Sequence, residues 1–111
     1  MKHYIPEKGD IVWLDFDPQL GREQGGKRPA VVLSPHVYNA KVGLAVFCPI
    51  TTKIKQFPFE VLLQNGLKTK GVVLADQIKN FDWRTRSIRF REKLPQKNLN
   101  EVLNKLQLLL Y

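Results

Sequence analysis

The sequence predicts a mainly β fold, a small and strongly bent barrel, with one C-terminal helix. Two observations carry that expectation. Short runs rich in β-branched and aromatic residues are repeatedly stopped by Gly or Pro, which is how short strands are punctuated in bent sheets. The run LPQKNLNEVLNKLQLLLY instead places Leu99, Val102, Leu103, Leu106, Leu109 and Leu110 on one helical stripe. A chain of 111 residues is expected to form one domain over 1–111. It is large enough for one core, and small enough that self-association would help bury surface.

The expected strands follow in order. Ile11–Phe16 is stopped by Asp17-Pro18, Ala30–Leu33 by Ser34-Pro35, and Leu44–Cys48 by Pro49. Phe59–Leu63 is entered through Pro58 and left through Asn65-Gly66, and Val72–Ile78 is a fifth run. A sixth covers about Ser87–Arg91, with Ile88 and Phe90 on one face and Arg89 and Arg91 on the other. Arg84 and Arg86 share parity with Ile88 and Phe90, so one regular strand would set two arginines on an apolar face. A turn or bulge between about Trp83 and Ser87 resolves the conflict. Pro95 suits the first turn of the helix, and Asn98 is placed to cap a shorter version. The helix is expected over one opening of the barrel or in a dimer interface.

Composition narrows the function. The formal net charge is +8, and it is uneven. Residues 1–20 carry −2, residues 21–60 carry +4, residues 61–93 carry +5 and the remainder +1. A basic folded surface, not a basic tail, points to a polyanion, and a sequence pI of about 9.8 points to nucleic acid. Cys48 is the only cysteine, which excludes a disulfide framework and a CxxC metal knuckle. Within VFCPI it is expected to pack as a small hydrophobe. MKHYIPEKGD lacks the apolar region of a signal peptide, and no run reaches the roughly 20 apolar residues of a membrane span. A cytoplasmic protein is the expectation. His3 and His36 stand alone and are read as surface or loop residues; no metal-ligand spacing is present, so no metal or other cofactor is expected.

The candidate chemistry centres on GREQGGKRP, where Glu23 precedes Arg28 by five residues. Cleavage of RNA by its own 2′-OH needs a base near that hydroxyl and a cation beside the phosphate. Glu23 suits the first role and the planar Arg28 guanidinium the second. Read without a partner, the same two residues are an ordinary loop ion pair worth roughly 0–1 kcal/mol. Pro29 biases Arg28 towards extended backbone, and Gly25-Gly26 lets the loop pass close to a ligand. Thr51, Thr52, Lys53 and Lys55 follow a strand end and offer hydroxyl and ammonium groups to phosphate oxygens. Asp76 interrupts VVLADQI and is expected to be a buried pairing partner, for Arg28 or another cation, or else a second acid/base. Trp83, Arg84, Arg86, Arg89, Arg91, Phe57 and Phe81 mix rings and cations as single-stranded nucleic acid sites do.

Taken together, GDIVWLDFDP, GREQGGKRPAVVLSP, VFCPITTKIKQFPFEV, GVVLADQIKNFDWRTR and the terminal helix resemble the MazF/PemK (Kid) family of toxin–antitoxin ribonucleases. They cover nearly the whole chain in family order. The resemblance implies an SH3-like barrel homodimer that cuts single-stranded RNA at short sequences without a metal, and attack by the internal 2′-OH would leave a cyclic or 3′ phosphate and a 5′-OH. It also implies a cognate antitoxin whose acidic segment occupies the RNA groove. Carried over by position, Glu23 and Arg28 become the catalytic pair and Thr51 a supporting hydroxyl. Asp76 matches an acid that serves catalysis in some relatives. Those relatives hold an arginine two residues earlier, where this chain has Leu74, so the burden moves to Arg28. Lys27, Thr52, Lys53, Lys55, Lys79, Arg84 and Arg86 are the expected RNA contacts. Arginine is effectively never deprotonated, so Arg28 is read as a clamp, and the donor to the leaving oxygen is left open. A same-fold toxin that binds a protein such as gyrase, or an inactive RNA-binding module, are the competing expectations.

Overall fold

The computed structural model describes residues 4–111. Seven strands pair antiparallel: β1 (Asp10–Asp15), β2 (Lys27–Val32), β3 (Leu44–Thr51), β4 (Glu60–Leu62), β5 (Val72–Leu74), β6 (Lys79–Asp82) and β7 (Arg89–Lys93). Their order is β4-β5-β3-β2-β1-β7, with β6 also paired to β3. Helix α1 (His36–Val42) joins β2 to β3, and α2 (Gln96–Leu110) ends the chain. His3 lies outside the described residues; His36 is exposed at the start of α1. Among the described residues no helix is long and apolar enough to cross a membrane.

Period-2 alternation divides the core between the two faces of the sheet. Ile11, Val31 and Cys48 face one way and pack with Val61, Val73 and, from α2, Leu99, Val102 and Leu106. Their neighbours Val12, Val32 and Phe47 face the other way, with Leu14, Phe16 and Trp83. Helix α2 thus covers one face with Leu99, Val102 and Leu106 of its predicted stripe and with partly buried Leu103, while Leu109 and Leu110 are exposed. Cys48 is buried, and burial followed by the charge of Asp76 pushes its thiol up to about 12. It packs as the small hydrophobe expected. The buried Asp10 carboxylate is held by the Tyr4 hydroxyl, the Glu7 N–H and the Lys93 ammonium.

Several expected boundaries move, each for a physical reason. Strand β3 runs through Pro49 instead of ending there. Val46 N–H donates to Ser34 Oγ and its carbonyl accepts from Leu33 N–H, so even positions of β3 face β2 and Pro49 faces the other edge. On that edge β6 pairs as far as Phe47 and β5 begins at Ile50. The missing Pro49 N–H falls in the gap, where no partner needs it. Strand β2 starts at Lys27, three residues before the apolar run, because Lys27 and Arg28 pair with Asp15 and Leu14. Strand β5 is shorter than expected, since the chain turns after Leu74 with Gln77 N–H bonded to the Leu74 carbonyl. The turn foreseen between Trp83 and Ser87 is a 3₁₀ turn over Trp83–Thr85, followed by Ser87 at φ 54°. It delays β7 to Arg89. Asn98 does not cap the helix. It is buried within α2, accepting from Gln64 N–H and donating to the Leu62 carbonyl. Helix α1 and strand β6 carry too little apolar pattern to have been expected.

Candidate active site

The ends of β1, β2, β3 and β5 and the loop after β3 surround one open groove of about 980 Å³. Arg22, Lys27, Arg28, Lys53 and Lys55 line it against only two acids, Glu60 and Asp76. One of those acids is occupied: the Glu60 carboxylate accepts from Lys55 N–H and Gln56 N–H and so shapes the loop. The groove therefore presents a strong positive field to an anionic ligand.

Arg28 is expected on a loop, but it lies on β2, half-buried, and the reason is local. In β2, Leu33 N–H reaches β3 while the Val32 carbonyl reaches Gly9 on the β1 side. Odd positions of β2 therefore face β3, and Pro29 would stand opposite Ile50, one step beyond the Ala30–Pro49 pair. Proline has no N–H to give. The Ile50 carbonyl takes Arg28 Nη1 instead, at 3.4 Å, while Arg28 Nε donates to the Gly25 carbonyl at 2.9 Å. Two backbone carbonyls thus aim the guanidinium. Burial lowers its pKa and Asp17 opposes that shift; the group remains charged.

Thr51, the last residue of β3, lines the same groove and is nearly buried. Its Oγ1 accepts from Lys53 N–H at 3.1 Å, which fixes the turn carrying Thr52, Lys53 and Lys55. Gly71 is required beside it. Its φ is 111°, and a Cβ there would stand 2.1 Å from the Thr51 carbonyl oxygen. Gly25 is likewise close-packed, but against the Gln19 side chain, where a Cβ would come within 2.6 Å. The glycine serves the loop's own packing rather than a ligand.

The two carboxylates differ from expectation. Glu23 is not paired with Arg28. It is bound by the Lys79 ammonium, and that hydrogen bond holds its carboxyl below the usual carboxylate range. Its neighbours Arg22 and Gln24 line the groove, whereas Glu23 sits just outside it. Gln24 N–H donates to Gln77 Oε1 at 2.9 Å, tying this loop to the turn after β5. Asp76 is not the buried partner expected. The turn after Leu74 exposes it on the groove, with no ion pair among the described residues.

Of the expected RNA contacts, Lys27, Thr52, Lys53 and Lys55 line the groove, and Lys79 stands beside it on Glu23. Arg84 and Arg86 do not join them. Arg84 lies over the Trp83 ring, and Arg86 lies over Phe81 while donating to the Asp15 and Asp17 carbonyls. Both brace the fold. Trp13, Gln77 and Glu60 line the groove without having been singled out for it. Trp13 carried a readable signal, since its strand parity leads from buried Ile11 to Asp15. The role of Glu60 is local, since the N–H groups it accepts from lie four and five residues earlier in the chain, and no sequence motif marks it.

Comparison with known proteins agrees along the whole chain. Residues 7–110 match the family described as PemK-like, MazF-like toxin of type II toxin–antitoxin system. The endoribonuclease toxin MazF of Escherichia coli K12 is 44% identical over 110 residues, covering 99% of this chain and 98% of the relative. Among solved structures, MazF from Deinococcus radiodurans superposes with a TM-score of 0.94 at 49% identity, over 97% of this chain and 98% of the other. The toxin chain of a MazE–MazF complex from the same organism gives a TM-score of 0.86 at 44% identity, over 97% of each chain.

Proposed function

The chain belongs to the PemK-like, MazF-like toxin family of type II toxin–antitoxin systems, and we propose that it is the endoribonuclease toxin of such a pair, acting on single-stranded RNA. One observation carries the reading. Arg28 and Thr51 face a single groove whose lining holds five cations and two acids.

In the proposed reaction a carboxylate takes the proton of the 2′-OH. The 2′-oxygen bonds to phosphorus, the bond from phosphorus to the 5′-oxygen breaks, and that oxygen is protonated. The products are a 2′,3′-cyclic phosphate and a 5′-OH. Arg28 clamps the phosphate as charge grows on its oxygens. Thr51 supports it, and Lys27, Thr52, Lys53 and Lys55 hold neighbouring phosphates. The internal hydroxyl is the nucleophile, and a carboxylate base with a guanidinium clamp supplies the proton acceptor and charge stabilisation proposed for the step. Glu23 is the proposed base. Lys79 keeps it ionised, and it lies between two groove-lining residues. Asp76 is the second reading, favoured by its open place on the groove. Digestion of a long RNA in EDTA, with the new ends mapped, tests the mechanism. Cleavage should persist and the products should begin with 5′-OH. Loss of activity in EDTA, or 5′-phosphate ends, would overturn it.

The proposed partners are a cognate antitoxin, whose acidic segment competes for the same cations, and a second copy of this chain. MazF relatives are solved with MazE, and Leu62, Leu108 and Leu110 are each more than 60% exposed here, an apolar surface that self-association would cover. Light scattering at micromolar concentration should give twice the 12.9 kDa of one chain; a monomer mass counts against it. The proposed compartment is the cytoplasm, where messenger RNA is translated.

A further inference from the structure

We propose that the RNA track continues beyond the groove into a flanking nucleotide subsite built on Trp13, in which one base stacks on the indole and its phosphate is held by Lys27, Lys68 and Arg89. The proposal rests on the reading of the groove as an RNA site and extends it.

Half-buried Trp13 is the point where three hollows meet. It lines the main groove, a second hollow of about 350 Å³ with Lys27, Ser87 and Arg89, and a third with Lys68, Arg89 and Arg91. Lys27 also belongs to both the groove and the second hollow, so a strand leaving the groove over Lys27 meets the indole next. A volume of about 350 Å³ is at the lower end of the range that accepts small organic groups, roughly 300–1,000 Å³.

The third wall is constructed, not incidental. The β1–β7 register runs Ile11–Glu92, then Val12–Phe90, which leaves Arg91 as the extra residue of a bulge. A bulge re-aims a side chain, and here the Arg91 guanidinium lies over the Trp13 ring at 5.1 Å. It is fixed there by donating to Thr69 Oγ1 and the Lys68 carbonyl. The Glu92 carboxylate holds that support in turn, accepting from Lys68 N–H, Thr69 N–H and Thr69 Oγ1. One indole face is thus occupied by a fixed cation, and the ring is held still for a base on its open side.

The charges around it are unspent. Lys27, Lys68 and Arg89 are exposed, and none is in an ion pair among the described residues. Glu92, the acid nearest Arg91 in sequence, has its oxygens turned to the loop at 68–69. An aromatic ring among unpaired cations is suited to a base with its phosphate more than to an acidic peptide, which needs the cations but not the ring.

The test uses synthetic single-stranded RNAs that carry the mapped cut site, with one 2′-deoxynucleotide at the scissile position to block cleavage. They are trimmed one nucleotide at a time from either end. In the wild-type protein one trimming step should lower affinity by roughly 5- to 150-fold, the range for loss of one stacked base. In the Arg89→Ala/Lys68→Ala variant that step should shrink. On the longer RNA the slope of log affinity against log salt should fall by about 0.7 for each phosphate contact removed. Trp13→Leu should shrink the step and leave the salt slope alone. A wild-type protein that cuts RNA but shows no such step overturns the flanking subsite and leaves the groove standing. A protein that neither cuts nor binds RNA overturns the groove reading itself. An unchanged step in both variants overturns the subsite, as does a double variant that loses affinity for polyglutamate alone. A changed mass by light scattering on Arg89→Ala would make this surface a contact between copies and also overturns it.

Discussion

Arg28→Ala should lower both stability and cleavage, and the two effects can be measured apart. Two hydrogen bonds are lost, a good one to Gly25 at 2.9 Å and a long one to Ile50 at 3.4 Å. A hydrogen bond from a charged donor contributes about 1.5–3 kcal/mol and a poor one far less, so the fold should lose about 2 kcal/mol. For a domain of this size that lowers Tm by roughly 6–10 °C. The sequence-based expectation of a loop ion pair would have left stability untouched. Out of a typical total of about 5–15 kcal/mol, the variant keeps at least about 3 kcal/mol and stays more than 99% folded at 25 °C. Unfolding therefore cannot account for a large loss of rate. Loss of a charge-stabilising donor should lower cleavage by about 100- to 1,000-fold. Arg28→Lys should recover only part of it, because a point charge cannot hold both carbonyls and a phosphate at once. Thermal melts by circular dichroism and initial rates on one RNA measure the two effects independently. A folded and fully active Arg28→Ala would refute the clamp. An unshifted melt would refute the structural half of the argument.

Lys79→Met should raise the carboxyl of Glu23 back towards its ordinary value of about 4.3. Because Lys79 lowers that pKa, the ionised base persists as pH falls, and the acidic limb of kcat/KM lies below the usual carboxylate range. The variant should move that limb upward; a stationary limb, with activity surviving Glu23→Gln and lost in Asp76→Asn, transfers the base to Asp76. Pro29→Ala should return an N–H to the Ile50 carbonyl and displace Arg28. The new hydrogen bond offsets the lost rigidity of proline, so stability should change by less than about 1 kcal/mol while cleavage falls several-fold, and an unchanged rate would show that Ile50 does not aim the guanidinium.

What was legible in the chain was what depends on near neighbours. Apolar runs stopped by Asp17-Pro18 and Ser34-Pro35 locate strands whose successive residues, Ile11 with Val12 and Val31 with Val32, pack on opposite faces, and the 3.6-residue stripe places Leu99, Val102 and Leu106 against the sheet. The parity conflict at Arg84 and Arg86 located a real turn. What was not legible depends on distant partners. Helix α1 buries little beyond Asn39, whose side chain is satisfied by Pro6 and Ser34, so no stripe announces it. Asp76 looked buried because it sits in an apolar run. The Gln77 N–H bond to Leu74 turns it outward, and no periodicity records a turn of that kind. The sequence sets Glu23 against Arg28, five residues on, whereas the fold supplies Lys79 from 56 residues away.

The Arg28-Pro29 step shows how one residue can mislead a local reading and still explain the site. The run GGKRP, with a glycine pair and a proline within five residues, signals a loop and predicts a loop position for Arg28. A proline in a strand is tolerated where its missing N–H has no necessary partner. At Pro29 that absence frees a carbonyl instead. The Ile50 oxygen, which an ordinary residue would have bonded, is left facing the groove and takes a side-chain donor. Pro49 is accommodated by the complementary route, facing a gap between the pairings of β5 and β6, where no strand partner stands opposite its missing N–H. Of the two prolines in adjacent strands, only the first leaves an acceptor behind, and it is the one next to the arginine. The bent sheet thus turns a missing backbone donor into a second, longer contact for the guanidinium, beside the shorter one to Gly25, so strand register and the preceding loop together set the position of Arg28.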